Sequence, residues 1–281
     1  MKKIGLWVMA ALMAMPVFAQ EEMKGRPAGF QTQDGWAISA LYQPAEENQK
    51  TLLLLHDVGK SYVDFATFSA KLTEKGFGYL ALDLRGHGKS IGKGVYSSFA
   101  KEGVDNDYNK MTRDVNAAMD YLKGKGVPEE DVFLVGAGMG ANVAAKSASL
   151  WPNVAGVALL TPVTNFRDVL PISALRVYKG NVFIASAADD KKNFLEASVM
   201  RNVSFLSSGE GKVTFATAYH LKGHEMLDKW VTEELIQWLQ TPQKPQIRPD
   251  VIETSEDSYE GDYEDIPASS TEEALFPSIL Q

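Results

Sequence analysis

The chain of 281 residues contains no cysteine. This absence excludes a disulfide scaffold, cysteine-ligated zinc fingers, iron–sulfur clusters and catalysis by a thiol. The sequence also lacks a basic cluster of the kind that nucleic-acid binding requires, so we predict no nucleic-acid partner. What is present, 45% hydrophobic and 23% charged residues, is the composition of a folded globular protein.

The net charge of -8 is concentrated at one end of the chain. Residues 241–281 contain ten acidic and two basic residues, which sum to -8, whereas the rest of the chain has 26 of each and is neutral. Low hydrophobicity and high charge of one sign are typical of disorder, and we predict a disordered acidic tail over 241–281. An alternative is that this tail carries the protein's role by binding a partner.

The first 19 residues have the three parts of a secretory signal peptide. Lys2 and Lys3 form the basic start, residues 4–15 are apolar, and Val17 and Ala19 are small residues at the positions that a signal peptidase recognises. A membrane anchor is the alternative, but the apolar run is much shorter than a bilayer span. We therefore predict an exported protein, periplasmic or secreted, with no stable membrane span after cleavage.

Residues 28–240 alternate apolar strands with amphipathic helices. A β-hairpin is predicted over residues 30–41, with its turn at Asp34 and Gly35. Further strands are predicted at residues 52–55, 79–84, 132–135, 156–160, 182–186 and 213–217. Helices are predicted at residues 64–75, 113–123, 140–150 and 229–239. This alternation predicts one α/β domain with a mostly parallel sheet, an antiparallel start and helices on both faces.

The most informative motif follows the strand predicted at residues 132–135. It reads Gly-Ala-Gly-Met-Gly over residues 136–140, and a helix rich in small residues follows. A G-x-S-x-G turn between a strand and a helix is a nucleophile elbow, whose flanking glycines permit the sharp turn that exposes the central side chain. Here the flanking glycines are present and the central residue is Gly138, which predicts an elbow without a nucleophile.

Four further motifs lie before and after the elbow, and their order along the chain is that of one known family. They occupy residues 54–59 (LLHDVG), 82–90 (LDLRGHGKS), 185–189 (ASAAD) and 223–227 (GHEML). Together they resemble the α/β-hydrolase superfamily, and most closely its bacterial esterase/lipase or serine-aminopeptidase-like branch. The resemblance covers nearly all of residues 28–240, and it implies the α/β-hydrolase fold with hydrolysis of ester or peptide bonds as the ancestral activity.

The resemblance assigns a catalytic triad to this chain only in part. It implies that His224 is the general base, and that Asp189, or its neighbour Asp190, is the acid that orients it. The nucleophile position falls on Gly138, so the base and the acid would be vestigial, because a triad acts by passing a hydroxyl proton to histidine. No other candidate hydroxyl lies at an elbow, and this applies to Ser61, Ser147 and Ser186.

The resemblance also implies an oxyanion hole. Its donors would be the backbone amide of Met139 and one from Asp57 or Val58. Asp57 departs from the family, which often has glycine at this position. A carboxylate there either repels a developing oxyanion or has its side chain directed away from the hole.

These residues support two functions. We predict a pseudo-hydrolase that binds a small molecule or a protein partner without hydrolysing it. The alternative is an active hydrolase of ester or peptide substrates, in which His224 and Asp189 activate water without the usual serine. Some catalysis can remain in an enzyme without its nucleophile, because the oxyanion hole and substrate binding still contribute.

We predict no cofactor and no metal, although two patterns raise the question. Gly136, Gly138 and Ala141 fit the dinucleotide fingerprint G-x-G-x-x-G/A, but the next strand ends without the acidic residue that the fingerprint requires. His220 and His224 are four residues apart, as zinc ligands on a helix can be, but no third ligand is close in sequence.

Overall fold

A computed structural model describes residues 23–228 and 230–242 of the chain. The predicted signal peptide lies outside these residues, as does the predicted acidic tail beyond residue 242. In the described part, the strands are β1 (Arg26–Gln31), β2 (Ala37–Gln43), β3 (Thr51–Leu55), β4 (Gly78–Leu82), β5 (Val132–Ala137), β6 (Gly156–Leu160), β7 (Val182–Ala187) and β8 (Val213–Ala218). The α-helices are α1 (Ala66–Glu74), α2 (Met111–Gly124), α3 (Met139–Ala148), α4 (Ile172–Val177), α5 (Lys191–Ser208) and α6 (Trp230–Gln240).

The strands form one sheet in the order β1-β2-β4-β3-β5-β6-β7-β8. β1 pairs with β2, and β2 with β4, in antiparallel orientation. The pairs from β4 through β3 and β5 to β8 are all parallel. The predicted mostly parallel sheet with an antiparallel N-terminal hairpin is therefore confirmed.

Both faces of the sheet are covered, which explains the uninterrupted apolar run of β3. Leu53 and Leu55 pack into the core on the side of α2, α3, α4 and α5, and Leu52 and Leu54 pack into the core under α1 and α6. Alternate residues of a strand point to opposite faces, so a strand buried on both sides has no polar alternation. The predicted helices on both faces are confirmed.

Among the described residues, the α-helices α4 and α5 are not indicated by the periodicity of the sequence. The longer one, α5, exposes Leu195, Val199 and Leu206, with 66%, 42% and 90% of their surfaces accessible. Apolar residues on the solvent side weaken the contrast between the two faces of a helix, and with it the periodic signal.

No helix within residues 23–228 and 230–242 is long and apolar enough to cross a membrane.

The motif at residues 82–90 connects the loop after β4 to neighbouring parts of the fold. Arg85 is completely buried; its Nε donates to Asp114 Oδ1 at 2.8 Å and its Nη1 donates to Asp34 Oδ2 at 2.8 Å. These bonds join the loop after β4 to the hairpin turn and to helix α2. Burial raises the pKa of Asp114 to about 6 although Arg85 opposes the shift. The motif thus has a structural role, because it fixes the loop after β4 to the hairpin turn and to α2.

Candidate active site

Gly138 forms the turn between β5 and α3, with φ of +52° and ψ of -115°. This is a strained conformation for a residue with a side chain, and glycine adopts it at little cost. A second glycine, Gly140, is required because its backbone lies close to β3. A Cβ on Gly140 would lie 2.1 Å from the carbonyl oxygen of Leu55. The chain thus retains the sharp backbone turn of a nucleophile elbow.

The space that a side chain at Gly138 would need is occupied by Asp57. A Cβ built on Gly138 would lie 2.2 Å from Asp57 Cγ and 2.3 Å from each of its carboxylate oxygens. Real Cβ atoms do not approach other heavy atoms so closely. No nucleophilic side chain at position 138 therefore fits while the Asp57 carboxylate stays where it is.

The same carboxylate accepts hydrogen bonds from two backbone amides. The N–H of Met139 donates to Asp57 Oδ1 at 2.8 Å, and the N–H of Val58 donates to the same oxygen at 2.7 Å. Met139 is the first residue of α3, so this oxygen also lies at the positive end of the helix dipole. These are the amides that the sequence suggested for an oxyanion hole, with Val58 as the second donor. The Asp57 side chain points into this hole and not away from it.

His56 helps to hold the Asp57 backbone in place. Its Nε2 accepts from the N–H of Leu84 at 3.0 Å, so Nδ1 carries the proton and donates to the Asp57 carbonyl oxygen at 2.7 Å. Burial, reinforced by His87, lowers the pKa of His56 to about 3. Burial also lowers the pKa of His87. Both rings are therefore neutral near pH 7, and His56 links the loop after β3 to the loop after β4.

The structure does not bring the predicted acid and base together. Asp189 Oδ2 lies 2.6 Å from Nδ1 of the exposed His220, and Asp189 Oδ1 accepts the backbone N–H of His220 at 2.9 Å. That N–H lowers the pKa of Asp189. His224 Nε2 instead lies 3.9 Å from Asp64 Oδ1. Both Asp189 and His224 belong to the described part of the chain, and no hydrogen bond or ion pair joins them.

Two contacts explain why His224 lies near Asp64 and not near Asp189. The N–H of Gly223 donates to Thr161 Oγ1 at 2.9 Å, which fixes the start of the 3₁₀ helix Gly223–Asp228. That helix packs against the turn Tyr62–Phe65, which carries Asp64. No local sequence signal marks Asp64 as a partner, because the contact joins segments about 160 residues apart.

Asp190, the other candidate acid, caps a helix. Its Oδ1 accepts the N–H of Asn193 at the start of α5 at 3.1 Å, and its Oδ2 lies 2.7 Å from Lys222 Nζ. The Lys222 ammonium is the largest influence that lowers the pKa of Asp190. An N-terminal acidic cap of this kind stabilises a helix. Asp190 therefore binds the start of α5 and Lys222, and it does not orient His224.

A cavity of about 290 Å³ opens in front of Gly138 and Asp57. Apolar side chains form much of its wall, namely Val58, Met139, Val163 and Phe166. The fully buried Asn142 fixes the loop after β6, because its Nδ2 donates to the carbonyls of Val163 and Val169 at 2.8 and 2.9 Å. The cavity thus has a defined apolar wall and a carboxylate at the elbow.

The geometry also bears on the cofactor patterns. In the dinucleotide fold, the pyrophosphate lies at the N-terminus of the helix that follows the glycine-rich turn. Here the Asp57 carboxylate holds that position on α3, and two anions at one place repel each other. Within residues 23–228 and 230–242, no group of three or more histidine, aspartate and glutamate side chains is arranged to hold a metal ion.

The family model described as "Serine aminopeptidase, S33" matches residues 46–241. The chain belongs to this family. No curated protein matches it in sequence. The match spans every strand from β3 to β8 and includes His224, and it also includes both departures from the family pattern, Asp57 and Gly138.

Several solved structures with the same fold are esterases or lipases, each at low sequence identity to this chain. An esterase from Pyrococcus furiosus has a TM-score of 0.61 at 16% identity, over 78% of this chain and 90% of that one. An esterase from Exiguobacterium antarcticum has a TM-score of 0.58 at 17% identity, over 77% and 100%. A monoglyceride lipase from Saccharomyces cerevisiae has 0.62 at 13%, over 83% and 100%. The predicted α/β-hydrolase fold and the resemblance to this superfamily are confirmed.

Proposed function

We propose that this serine aminopeptidase S33 family member is an exported protein that binds a small molecule in the cavity beside Gly138 and does not hydrolyse it. One observation carries the proposal. The Asp57 carboxylate fills the space of a nucleophile at the elbow and accepts both backbone N–H groups that would stabilise an oxyanion. The chain keeps the fold of its family and a cavity at the elbow, and the Asp57 carboxylate blocks the chemistry of the site.

Acyl transfer by this fold needs a nucleophile, a base and an empty pair of donors. Gly138 offers no nucleophile, and the absence of the nucleophile or base alone costs roughly 10⁶-fold in rate in a serine protease. The donors of Met139 and Val58 are engaged by a carboxylate. Removing a single oxyanion-hole donor costs about 10²–10³-fold in rate. These losses together support a protein without serine-hydrolase activity.

The alternative activity, direct activation of water by His224 and Asp189, receives less support from the geometry. It requires the carboxylate to orient the imidazole that takes the proton. Asp189 instead contacts His220, and His224 lies near Asp64. A water attacking a carbonyl would also place negative charge beside the Asp57 carboxylate. Both facts favour binding over hydrolysis.

The export part of the proposal rests on the first 19 residues. It is tested by expressing the full chain and determining the N-terminal sequence of the protein recovered outside the cytoplasm. We expect the exported form to begin at Gln20. Recovery of the intact chain from the cytoplasm alone would contradict export without affecting the proposal for the cavity.

The test of the site is the hydrolysis of p-nitrophenyl butyrate by four proteins. They are the wild type, Gly138→Ser, Asp57→Ala, and the double variant. We expect the wild type to stay at the rate of the blank because it has no nucleophile. Gly138→Ser should stay there too, because the Asp57 charge remains beside the serine and repels a developing oxyanion. The double variant combines the serine with the space for it and two free donors, so it alone is expected to exceed the blank. A wild-type rate above the blank that His224→Ala abolishes would contradict the proposal.

A further inference from the structure

The two oxygens of the Asp57 carboxylate have different surroundings. Oδ1 accepts the N–H groups of Val58 and Met139. Oδ2 has no hydrogen bond or ion pair with any residue of the described part. It lies 2.3 Å from the place of a Cβ on Gly138, a residue that lines the cavity. Oδ2 is therefore an acceptor that is left for something in the cavity.

Within residues 23–228 and 230–242, no cationic side chain forms an ion pair with this carboxylate. The nearby rings of His56 and His87 are neutral near pH 7, because burial lowers the pKa of each. Lys222, which also lines the cavity, is 2.7 Å from Asp190, and Asp57 forms no ion pair within the described residues. Two amides and a helix N-terminus stabilise the charge in part, but a partly buried carboxylate gains further from a positive partner.

The cavity as a whole is also weakly negative. The carboxylates of Asp57, Asp190 and Glu196 line it against the ammonium groups of Lys192 and Lys222, which leaves a formal charge of -1. Its volume of about 290 Å³ is at the small end of the range of small-molecule sites. A ligand must therefore be compact, and an anionic ligand would meet the Asp57 charge at the elbow.

We infer that this cavity binds a protonated amine with a compact apolar body, held through Asp57 Oδ2. This inference rests on the proposed function, because it assigns a ligand class to the same cavity. The ammonium group would donate to Oδ2, and the apolar body would contact Val163 and Phe166. An ammonium donor adds a Coulombic attraction to the carboxylate that a neutral hydroxyl donor lacks, so the charge of the ligand sets the preference. The elbow, which binds a developing anion in a hydrolase, would here select a cation.

The test uses three probes that share one ring and differ in charge: benzylamine, benzyl alcohol and benzoate. Each is titrated into the ¹⁵N-labelled full chain at pH 7 and followed through the amide resonances of Val58 and Met139. These two amides report on the site because both donate to the Asp57 carboxylate. We expect benzylamine to shift both resonances saturably, and with a lower Kd than benzyl alcohol. Benzoate should cause no saturable shift.

Three variants test whether the effect comes from the Asp57 carboxylate. Asp57→Asn keeps an oxygen for the two amides and removes the charge, and it should weaken benzylamine binding at least about tenfold. Asp105→Asn makes the same change in net charge on a side chain that is 86% exposed and bound to Lys110, and it should leave the affinity unchanged. Asp57→Ala frees the two donors, so in that variant benzoate should bind and shift them.

The outcomes separate this inference from the proposal on which it rests. Preference of the wild type for benzyl alcohol or benzoate would overturn the inference while the protein remains a non-hydrolytic binder. Absence of saturable shifts with all three probes would overturn it as well, as would equal benzylamine affinity in the wild type and Asp57→Asn. Hydrolysis of p-nitrophenyl butyrate by the wild type would overturn the proposed function, and that result is read in a separate assay.

Discussion

A side chain at position 138 should cost stability in a way that depends on Asp57. Gly138→Ala forces alanine into φ of +52°, a strained region that costs about 1–3 kcal/mol. Its Cβ would also meet Asp57 Cγ at 2.2 Å, so the carboxylate must leave its two amide hydrogen bonds. Loss of a side-chain cap at a helix N-terminus costs about 1 kcal/mol, and up to about 2. We expect Gly138→Ala to lower the free energy of unfolding by about 2–5 kcal/mol in the wild type.

The Asp57→Ala background should remove the second contribution. Asp57→Ala already lacks the amide hydrogen bonds, so adding Gly138→Ala there costs only the backbone strain. The double-mutant cycle should therefore be less than additive by about 1–2 kcal/mol. That corresponds to about 2–8 °C in Tm for a domain of this size.

Urea denaturation of the four proteins measures this coupling. A parallel cycle of Gly138→Ala with Asp105→Ala serves as the control, because Asp105 is exposed and contacts Lys110. That pair should be additive within about 0.5 kcal/mol. Additivity of the Gly138 and Asp57 changes to the same precision would refute the claim that the two positions share one space.

Three further expectations concern the frame around the site. The pKa of His56 is about 3 in the folded protein against an ordinary value of 6.5, so its neutral form contributes stability above pH 6.5 that is lost as the pH falls toward 3. The free energy of unfolding of the wild type minus that of His56→Gln should fall by about 1.4 kcal/mol for each unit by which the pH is lowered from 6 to 4. Urea denaturation measures this difference, and a difference that does not change with pH would contradict the expectation. Gly140→Ala should lower the free energy of unfolding by about 1–3 kcal/mol or more, because its Cβ would overlap the Leu55 carbonyl oxygen. A smaller loss of stability in thermal unfolding would refute the close approach. Arg85→Met should cost about 3–5 kcal/mol because it leaves the buried Asp114 without its partner; a denaturation midpoint equal to that of the wild type would show that the pair is unimportant.

The fold was predictable because its signals are local. The leucine run of β3 indicates a strand that is buried on both faces, and the structure places it in the middle of the sheet. The glycines around position 138 mark the turn from β5 to α3, since only glycine permits both that conformation and the approach to Leu55. α5 was missed because its exposed leucines conceal the periodicity.

The arrangement of the site was not predictable to the same degree. The sequence marks Asp57 as a departure from the family, but whether its side chain enters the hole depends on α3, which supplies the amide of Met139 from 82 residues away. The pairing of Asp189 with His220, and not with His224, depends likewise on the path of the chain after β8. Order along the chain identifies candidate partners for a carboxylate, and only tertiary structure selects among them.

The central claim is that the Asp57 carboxylate occupies the pair of amide donors at the elbow. The most direct measurement is an NMR titration with pH of Asp57 Cγ together with the amide protons of Val58 and Met139, which donate to it. We expect all three resonances to change with one common midpoint, and the two amides to show no such change in Asp57→Asn. Amide resonances that do not follow the titration of Asp57, or that titrate equally in Asp57→Asn, would contradict the account.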